Sequence, residues 1–242
     1  MSHKHTLEQA YMTVSMARLL RDGETVFHGI ASPIPMLAAL FAQRTHAPNL
    51  TYLNISGSVN PRPTHLPHST VDPRLLEMTS SLFPMSEAFD LAAKGRLDSV
   101  FLSGIQIDRH GHINMSAVGP FAKPKVRLPG GAGSAFLAEN AGRVLLWRTK
   151  HDSRSFVNEL SFCTATPIKE VYVVTPLCVF HREHSDLVVS SIHPYSSESE
   201  IRQNTGWEVI FSPSVETTPP LTEDDWRLLT KLDPEQAVAV EF

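Results

Sequence analysis

The chain has 242 residues, 21 of them basic and 25 acidic, which gives a formal net charge of -4. Apolar residues make up 42% and charged residues 19%, the balance of an ordinary globular protein with a sizeable core. The lack of excess Lys and Arg argues against a nucleic-acid partner, and no apolar run reaches the roughly 20 residues that cross a bilayer.

The N-terminal third has the pattern of a parallel sheet. Thr6 and Gln9 form a capping-box sequence ahead of a helix that is predicted to end at Gly23. The next predicted elements are a strand over 25–30, a helix that starts at 33 and ends before 48, and a strand over 50–55. This strand–helix–strand order is typical of parallel strands joined by a helix.

Residues 57–83 are rich in proline, histidine and hydroxyl side chains, which predicts a long loop of the kind that is usually functional or mobile. The elements predicted after it are a helix over 86–94, a strand over 98–103, a helix over 135–140, strands over 143–147, 171–175, 178–181 and 187–192, and helices over 197–204 and 222–231. The later strands are β-branched and allow antiparallel pairs. Without a linker or repeat, one α/β domain over residues 1–242 is expected.

A polar run directly follows the strand predicted over 98–103. From residue 104 to residue 114 it reads Gly-Ile-Gln-Ile-Asp-Arg-His-Gly-His-Ile-Asn. Ligands of open α/β sheets bind outside the carboxyl ends of strands, so Gln106, Asp108 and Asn114 are candidates for substrate binding. The alternative is a tight turn in which Asp108 and Asn114 bind backbone groups and Gly111 has a positive φ.

A glycine-rich segment precedes the helix predicted over 135–140. Its residues Gly130, Gly131, Ala132 and Gly133 would let backbone N–H groups approach an anion or an oxyanion. It is not a phosphate-binding loop of the Walker type, because no Gly-Lys-Ser/Thr follows, and the full Gly-x-Gly-x-x-Gly spacing is absent. The alternative interpretation is a flexible loop.

Histidine is frequent but does not predict a metal site. The two close pairs are His110 with His112 and His181 with His184, and neither has the third ligand that a catalytic zinc requires. We therefore expect no metal. His3 and His5 are assigned to a mobile terminus.

Nucleophilic catalysis by serine or cysteine is also poorly supported. No Gly-x-Ser-x-Gly motif occurs, and Ser56 has no assignable base. Cys163 and Cys178 stand in apolar or β-rich surroundings and are expected in the core. Because they form neither a disulfide framework nor a Cys-x-x-Cys pair, a reducing cytoplasm is the expected compartment.

Taken in order, these segments resemble the β subunit of class I coenzyme A transferases. The similarity is best to glutaconate-type subunits and to the ring-opening CoA-thioester hydrolases of steroid breakdown. The run 103–114 resembles the family's Gly-x-x-Gln-Val-Asp-x-x-Gly-Asn-x-Asn motif, and 130–133 resembles its glycine loop. Residues 192–194 and 205–207 are similar to its His-Pro-Gly and Thr-Gly-Phe region. The resemblance extends from the first helix to Phe211.

The resemblance implies an open, mostly parallel α/β sheet flanked by helices, as in CoA transferases, ribose-5-phosphate isomerase and glucosamine-6-phosphate deaminase. It also implies a separate α subunit as partner, an acyl-CoA thioester as substrate and no permanently bound cofactor. In the transferases a β-subunit glutamate attacks the acyl-CoA, and a glutamyl-CoA thioester then carries CoA to a carboxylic acid. The loop 130–133 would supply N–H donors to the oxyanion.

One position departs from this pattern. Ile55 stands at the expected position of the glutamate, between Asn54 and Ser56, and no acidic residue occurs between Glu24 and Asp72. Isoleucine cannot form a glutamyl thioester. The resemblance therefore implies either a catalytic carboxylate from the partner subunit, as in the ring-opening hydrolases, or a loss of transfer chemistry.

Three functions stay open. Transfer of CoA to a carboxylic acid is the family default, hydrolysis or ring opening fits Ile55, and a non-catalytic acyl-CoA-binding or sensor subunit fits the loss of the nucleophile. Glu139 and Asp108 are poor substitutes for the glutamate, because one lies in a predicted helix and the other matches a turn residue. Candidate CoA contacts, or solvated loop charges, are Arg109, Lys123, Lys125 and Arg127.

Overall fold

The computed structural model describes residues 5–242, and these form two compact units. The first unit ends at Phe101 and resumes at Pro219, and the second runs from Leu102 to Thr218. The single domain expected over residues 1–242 stays a prediction. Within the described residues, every helix is too short or too polar to cross a membrane.

The first unit combines a sheet with packed helices. Its elements are α1 (Leu7–Arg18), β1 (Thr25–His28), α2 (Pro33–Gln43), β2 (Thr51–Leu53), β3 (Ser58–Val59), α3 (Arg74–Glu77), β4 (Ser81–Leu82), α4 (Met85–Ala93), the first three residues of β5 (Ser99–Ser103), α7 (Glu223–Leu232) and a C-terminal 3-10 helix (Ala237–Glu241). Strand β1 pairs in parallel with both β2 and β5, and β3 lies antiparallel between β2 and β4. The carboxyl ends of β5, β1 and β2 therefore lie at the same edge of the sheet.

Helix α2 is the centre of the first unit's core. It carries no charged residue, and Pro33 through Ala42 are all buried. A helix that is apolar on every side must be covered on every side, and α1, α7 and the 3-10 helix all contact it. Helix α1 begins with the predicted capping box, in which Thr6 Oγ1 accepts from the Gln9 N–H at 3.2 Å. It ends at Arg18 rather than at Gly23.

Two expectations for the first unit are corrected. His5 is buried rather than mobile, because its Nε2 lies 3.0 Å from Asp233 Oδ2; His3 lies outside the described residues. The long loop over 57–83 contains short regular elements, namely β3, α3 and β4. Strand β3 forms because its two residues extend the sheet beyond β2.

The second unit holds the remaining elements. They are β6 (Gln106–Ile107), β7 (Ile113–Asn114), β8 (Ala117–Val118), β9 (Val126–Arg127), α5 (Ser134–Asn140), β10 (Arg143–Trp147), β11 (Glu170–Val174), β12 (Cys178–Glu183), β13 (Asp186–Ile192), α6 (Glu198–Asn204) and β14 (Ile210–Thr217). Strands β10 and β11 are parallel, β11 to β13 are antiparallel, and β13 and β14 are parallel. The expected α/β sheet with flanking helices and later antiparallel pairs is confirmed.

The two cysteines have different surroundings. Cys178 is buried on β12, as predicted. Cys163 is exposed, so its assignment to the core is wrong. It lies in an irregular segment between β10 and β11, where no strand turns its side chain inward.

Candidate functional site

A buried polar cluster lies at the carboxyl ends of β1 and β2 in the first unit. His28 is the last residue of β1, and its Nε2 lies 2.5 Å from the Tyr52 hydroxyl of β2. The amide of Asn54, directly after β2, donates to the same hydroxyl at 2.7 Å. On the other side of the ring, His28 Nδ1 lies 2.7 Å from Ser32 Oγ and 2.9 Å from the Gly29 carbonyl. This cluster is a chain of hydrogen bonds between adjacent strands.

The cluster has one consistent assignment of protons. The Gly29 carbonyl only accepts, so His28 Nδ1 carries the proton and Nε2 accepts from the Tyr52 hydroxyl. Burial lowers the pKa of His28 to about 4, so the ring is neutral near pH 7. Burial also raises the pKa of the Tyr52 hydroxyl, which keeps its proton. His28 and Tyr52 are therefore both uncharged, and they hold the Asn54 side chain in place rather than acting as an acid or a base.

Asn54 also forms hydrogen bonds to the turn after β2. Its Oδ1 accepts from the Ser56 N–H at 2.8 Å, and its carbonyl accepts from the Gly57 N–H at 2.9 Å. Gly57 has φ +91°, and a Cβ there would lie 3.0 Å from the Phe83 carbonyl oxygen. Ile55 is half-buried in this turn, since β2 ends at Leu53 and not at 55. The turn that holds Ile55 is thus fixed by the hydrogen bonds of Asn54 before it and by the close packing of Gly57 against Phe83 after it.

In the second unit, Gln106 and Asn114 face each other across the β6–β7 hairpin. Asn114 Nδ2 donates to Gln106 Oε1 and to the Ala117 carbonyl, each at 2.7 Å. Asn114 Oδ1 accepts from the Ser116 N–H at 3.0 Å. Both side chains are buried, so their hydrogen bonds hold the hairpin.

Asp108 organises the tip of the same hairpin. Its Oδ1 accepts from the N–H groups of His110 and His112 at 2.9 and 3.0 Å, and its Oδ2 lies 3.0 Å from His112 Nδ1. Gly111 has φ +78°. These are the features of the tight-turn interpretation. The substrate-binding roles of Gln106, Asp108 and Asn114 stay predictions.

The histidine pairs are engaged in hydrogen bonds or turns. His110 Nδ1 lies 2.8 Å from the Ser185 carbonyl, while His112 is held by Asp108. His181 lies on β12 and His184 occupies a turn with φ +57°. Across residues 5–242, no three His, Cys, Asp or Glu side chains are grouped so that they could hold a metal ion.

The glycine loop before α5 combines backbone of positive φ with N–H groups that find no partner in the described part of the chain. Gly130 and Ala132 have φ of +91° and +44°. The Gly130 N–H donates to the Met115 carbonyl at 2.7 Å, whereas those of Gly131, Ala132 and Gly133 have no partner in residues 5–242. A Cβ on Gly131 would lie 2.5 Å from Thr164 Cγ2. Three adjacent donors are thus available to a ligand.

The charged candidates lie on the surface of the second unit. The Arg109 side chain is half-exposed and lies 3.7 Å from Asp186, and Glu139 is exposed on α5. The Arg127 guanidinium lies 4.8 Å above the Phe121 ring, and Lys123 and Lys125 are exposed in the same hairpin. Whether the basic residues contact CoA stays a prediction.

Two of the C-terminal motif residues, His193 and Thr205, are buried in the second unit. His193 Nε2 donates to the Thr175 carbonyl at 3.0 Å, and Thr205 Oγ1 lies 3.0 Å from His151 Nε2. A Cβ on Gly206 would lie 2.6 Å from the Phe156 carbonyl oxygen. His193 and Thr205 shape the fold, whereas Trp207 of the same motif lines a surface cleft together with Arg109 and Asp186.

Two groups were missed by the sequence analysis. His28 and Tyr52 were treated only as strand residues, although a polar side chain at the end of an apolar strand is a usable signal. Arg148 was missed for the same reason. It directly follows β10, and its guanidinium has only one contact in the described chain, with Ser155 Oγ at 3.4 Å from Nε.

Comparison with known proteins places this geometry in one family. The family model described as coenzyme A transferase matches residues 10–204. The chain is 34% identical over 246 aligned residues to the B-type subunit of the 3-oxoadipate CoA-transferase of Pseudomonas knackmussii, an alignment that covers 94% of each chain. It is 29% identical over 167 residues to the cholesterol ring-cleaving hydrolase IpdB subunit of Rhodococcus jostii, with 62% of this chain and 65% of the relative covered.

A solved structure has the same fold over nearly the whole chain. A chain of the decarboxylase AibA/AibB superposes with a TM-score of 0.91 at 31% identity, covering 97% of this chain and 98% of its own. The relatives thus include a transferase, a hydrolase and a decarboxylase. The family match spans most of the chain, and the predicted resemblance is confirmed. This chain belongs to the coenzyme A transferase family and is similar to its B-type subunits.

Proposed function

We propose that this chain is the B-type subunit of a two-subunit enzyme that acts on an acyl-CoA thioester and transfers CoA to a carboxylic acid. The observation that carries the proposal is the 34% identity to the B-type subunit of a CoA-transferase across 94% of both chains. The partner is an A-type subunit, and CoA arrives as part of the substrate rather than as a bound cofactor. With one exposed and one buried free cysteine, we place the enzyme in the cytoplasm.

In this proposal the glycine loop binds the thioester oxygen. Acyl transfer builds negative charge on that oxygen, and backbone N–H groups aimed at it lower the barrier. The N–H groups of Gly131, Ala132 and Gly133 are the available donors of the loop. Gln106, Asp108 and Asn114 give the neighbouring hairpin its shape, so their contribution to binding is through the backbone that they hold.

Hydrolysis is a second candidate because of Ile55. The turn at the carboxyl end of β2 holds an isoleucine between Asn54 and Ser56. None of these three side chains is a carboxylate, so none can form an anhydride with the acyl group of the thioester. A carboxylate from the A-type subunit would then act as nucleophile or as general base toward water. The ring-cleaving hydrolase among the relatives supports this route.

Omission of the acceptor distinguishes the two reactions. The chain is co-purified with its A-type subunit and given an acyl-CoA, with and without a free carboxylic acid, and the CoA species are separated by chromatography. A new acyl-CoA that forms only with the acceptor supports transfer. Free CoA released without an acceptor supports hydrolysis, and no turnover in either condition contradicts both and favours a binding subunit.

A further inference from the structure

A surface cleft lies where β13 and β14 begin in the second unit. It has a volume of about 300 Å³, at the lower end of the range that small-molecule sites occupy. Trp207 and Glu208, which precede β14, line it together with Leu187 of β13 and Ile210 of β14. No step of the proposed function uses these four side chains.

The cleft lies at the edge of the sheet opposite the carboxyl ends of β10 and β11. Strand β12 runs antiparallel to β11, so its last residue lies beside the amino end of β11. That residue pairs with Asp186 at the start of β13, and Val188 pairs with Ile210 at the start of β14. The tip of the β6–β7 hairpin reaches the same edge, because the Leu187 N–H donates to the Arg109 carbonyl at 2.6 Å. A ligand in this cleft would therefore not compete with one at the carboxyl ends of β10 and β11.

Three polar groups of the cleft have no hydrogen-bond partner within residues 5–242. They are the indole N–H of Trp207, the side-chain amide of Asn158 and the carboxylate of Glu208. The amide supplies a donor and an acceptor, the indole supplies a donor, and the carboxylate accepts only. The cleft therefore offers hydrogen bonds that the protein itself leaves unused.

The charged side chains of the cleft leave one negative charge in excess. Arg109 and Asp186 offset each other, since Arg109 Nε lies 3.7 Å from Asp186 Oδ1. Glu208 has no such partner in the described part of the chain. The Arg202 guanidinium bonds the next residue's carbonyl at 2.9 Å and lies over the Phe211 ring, 4.5 Å from its centroid. A phosphate or carboxylate would be repelled by Glu208, whereas a cation would be attracted.

Trp207 supplies a second feature that favours a cation. The face of an indole ring attracts ammonium and guanidinium groups, and more strongly where water is partly excluded. The Trp207 ring is half-buried, with its centroid 6.1 Å from that of Phe156 and 6.3 Å from that of Phe180. Leu187 and Ile210 add apolar surface that can cover a short hydrocarbon chain.

We propose that this cleft binds a small organic cation, a guanidinium or primary ammonium group carried on a short apolar chain. The Glu208 carboxylate pairs with the positive charge, the Trp207 ring contacts it, and the Asn158 carbonyl oxygen accepts one of its N–H groups. The inference does not depend on the proposed function, because it concerns binding at the other edge of the sheet.

Binding to the purified complex tests the proposal without turnover. The complex of this chain with its A-type subunit is titrated by calorimetry with n-butylguanidinium and with n-butylurea, a neutral molecule of nearly the same shape. We expect the cation to bind about tenfold or more tightly than the urea. Glu208→Gln should weaken cation binding about three- to tenfold and leave urea binding as in the wild type. Trp207 emission should follow the titration, since Trp147 and Trp226 are buried.

The matched control is Glu216→Gln, which removes the same charge at the other end of β14 and should bind the cation as the wild type does. Glu208 is exposed, so its variant should melt like the wild type. If Glu208→Gln lowers the melting temperature, Asn158→Ala at a second exposed position replaces it, and weaker cation binding at an unchanged melting temperature is then expected.

Three results would overturn the proposal: equal affinity for n-butylguanidinium and n-butylurea, cation affinity unchanged in Glu208→Gln, or no binding of the cation by the complex. In the last case, dissociation of the complex by Glu208→Gln in native mass spectrometry would assign the cleft to a basic side chain of the A-type subunit. A complex that binds the cation through Glu208 but has no turnover would contradict the proposed function alone.

Discussion

A few buried side chains fix the structure at the carboxyl ends of β1 and β2 through hydrogen bonds. The Asn54 amide is held by the Tyr52 hydroxyl, which is held in turn by a neutral His28 ring. Each group is fully buried, so each must find a partner inside the protein. The sequence predicted that Asn54, Ile55 and Ser56 would be adjacent to a strand end. It could not predict the contact with His28, because that contact joins two strands through the pairing register.

Replacing Tyr52 with phenylalanine tests this cluster. The variant keeps the ring but removes the closer donor of His28 Nε2, which then has only the Asn54 amide at 3.2 Å, and it removes the closest acceptor of Asn54 Nδ2. We expect a loss of about 1–3 kcal/mol in the free energy of unfolding, measured by urea titration. The matched control is Tyr172→Phe, whose hydroxyl bonds a partly exposed Glu170 and should cost less. Equal effects of the two variants would contradict a special role for the cluster.

At the scale of elements, the loops that follow strands are set by few contacts. The hairpin β6–β7 was predicted as a polar run, and its turn chemistry follows from Asp108 and Gly111. The glycine loop was predicted from composition alone. Its need for glycine at 131 comes from Ser134 Oγ, 2.9 Å from a Cβ placed there, and above all from Thr164, which lies 33 residues away in the sequence and could not be recognised beforehand.

Gly131→Ala tests the loop as an oxyanion site. A Cβ at 131 would overlap Thr164 Cγ2 at 2.5 Å, so the loop must move and carry its N–H donors away from the ligand. We expect turnover of the acyl-CoA by the complex to fall about tenfold or more, with the folded state retained.

Thr164→Ser supplies the control for this variant, because it removes Cγ2 and keeps the hydroxyl that accepts from the Met115 N–H. The double variant should regain part of the lost activity, and Thr164→Ser alone should stay near wild type. Turnover by Gly131→Ala at the wild-type rate would show that the loop does not serve the reaction.

The C-terminal 3-10 helix contributes a residue that caps the N-terminus of α2. Ser32 is the N-cap residue of α2, but its hydroxyl is bonded to the Gly29 carbonyl and the His28 ring and does not cap the helix. Glu241 caps the helix instead, because its carboxylate accepts from the Ile34 N–H at 2.9 Å. Glu241→Ala is therefore expected to destabilise the chain by about 0.5–2 kcal/mol, seen as a lower melting temperature. Val240→Ala, at a 74% exposed neighbour, is the control and should melt like the wild type. A wild-type melting temperature for Glu241→Ala would refute this capping role.

At the scale of the whole molecule, the α/β architecture follows from the alternation of apolar strands and helices. Residues 143–147 were predicted to the residue, and α2 was recognised from its Pro33 start. Strand β14 was missed because Ile210–Thr217 is mostly polar and partly exposed, and its pairing with β13 decides its conformation. The division into two compact units has no signal in the sequence, since no linker marks it.

Buried histidines make the whole molecule sensitive to acid. Burial lowers the pKa of His28 to about 4, of His151 to about 3 and of His193 to about 4. In the unfolded chain a histidine titrates near pH 6.5, so below that pH the unfolded state binds protons that the folded state does not. Stability is complete above about pH 6.5 and falls as pH decreases toward 4.

The melting temperature should therefore change little between pH 7 and pH 6.5 and decline increasingly steeply from pH 6.5 to pH 5. Each neutral buried histidine contributes a loss that approaches about 1.4 kcal/mol per pH unit once the pH is well below 6.5. His151→Gln should lower the free energy of unfolding at pH 7.5. It should also make the dependence on pH less steep, because the unfolded variant takes up one proton fewer. A melting temperature that is constant between pH 7 and pH 5 would contradict neutral burial of these rings.

We propose that this chain is one subunit of a two-subunit acyl-CoA enzyme, and the composition of the complex that it forms in the cell tests this proposal most directly. The measurement is affinity purification of the chain from its native host followed by native mass spectrometry. We predict a stoichiometric second chain of similar mass, which identifies the complex to assay with acyl-CoA. Recovery of the chain alone or as a homo-oligomer would contradict the two-subunit account and favour a binding or sensor role.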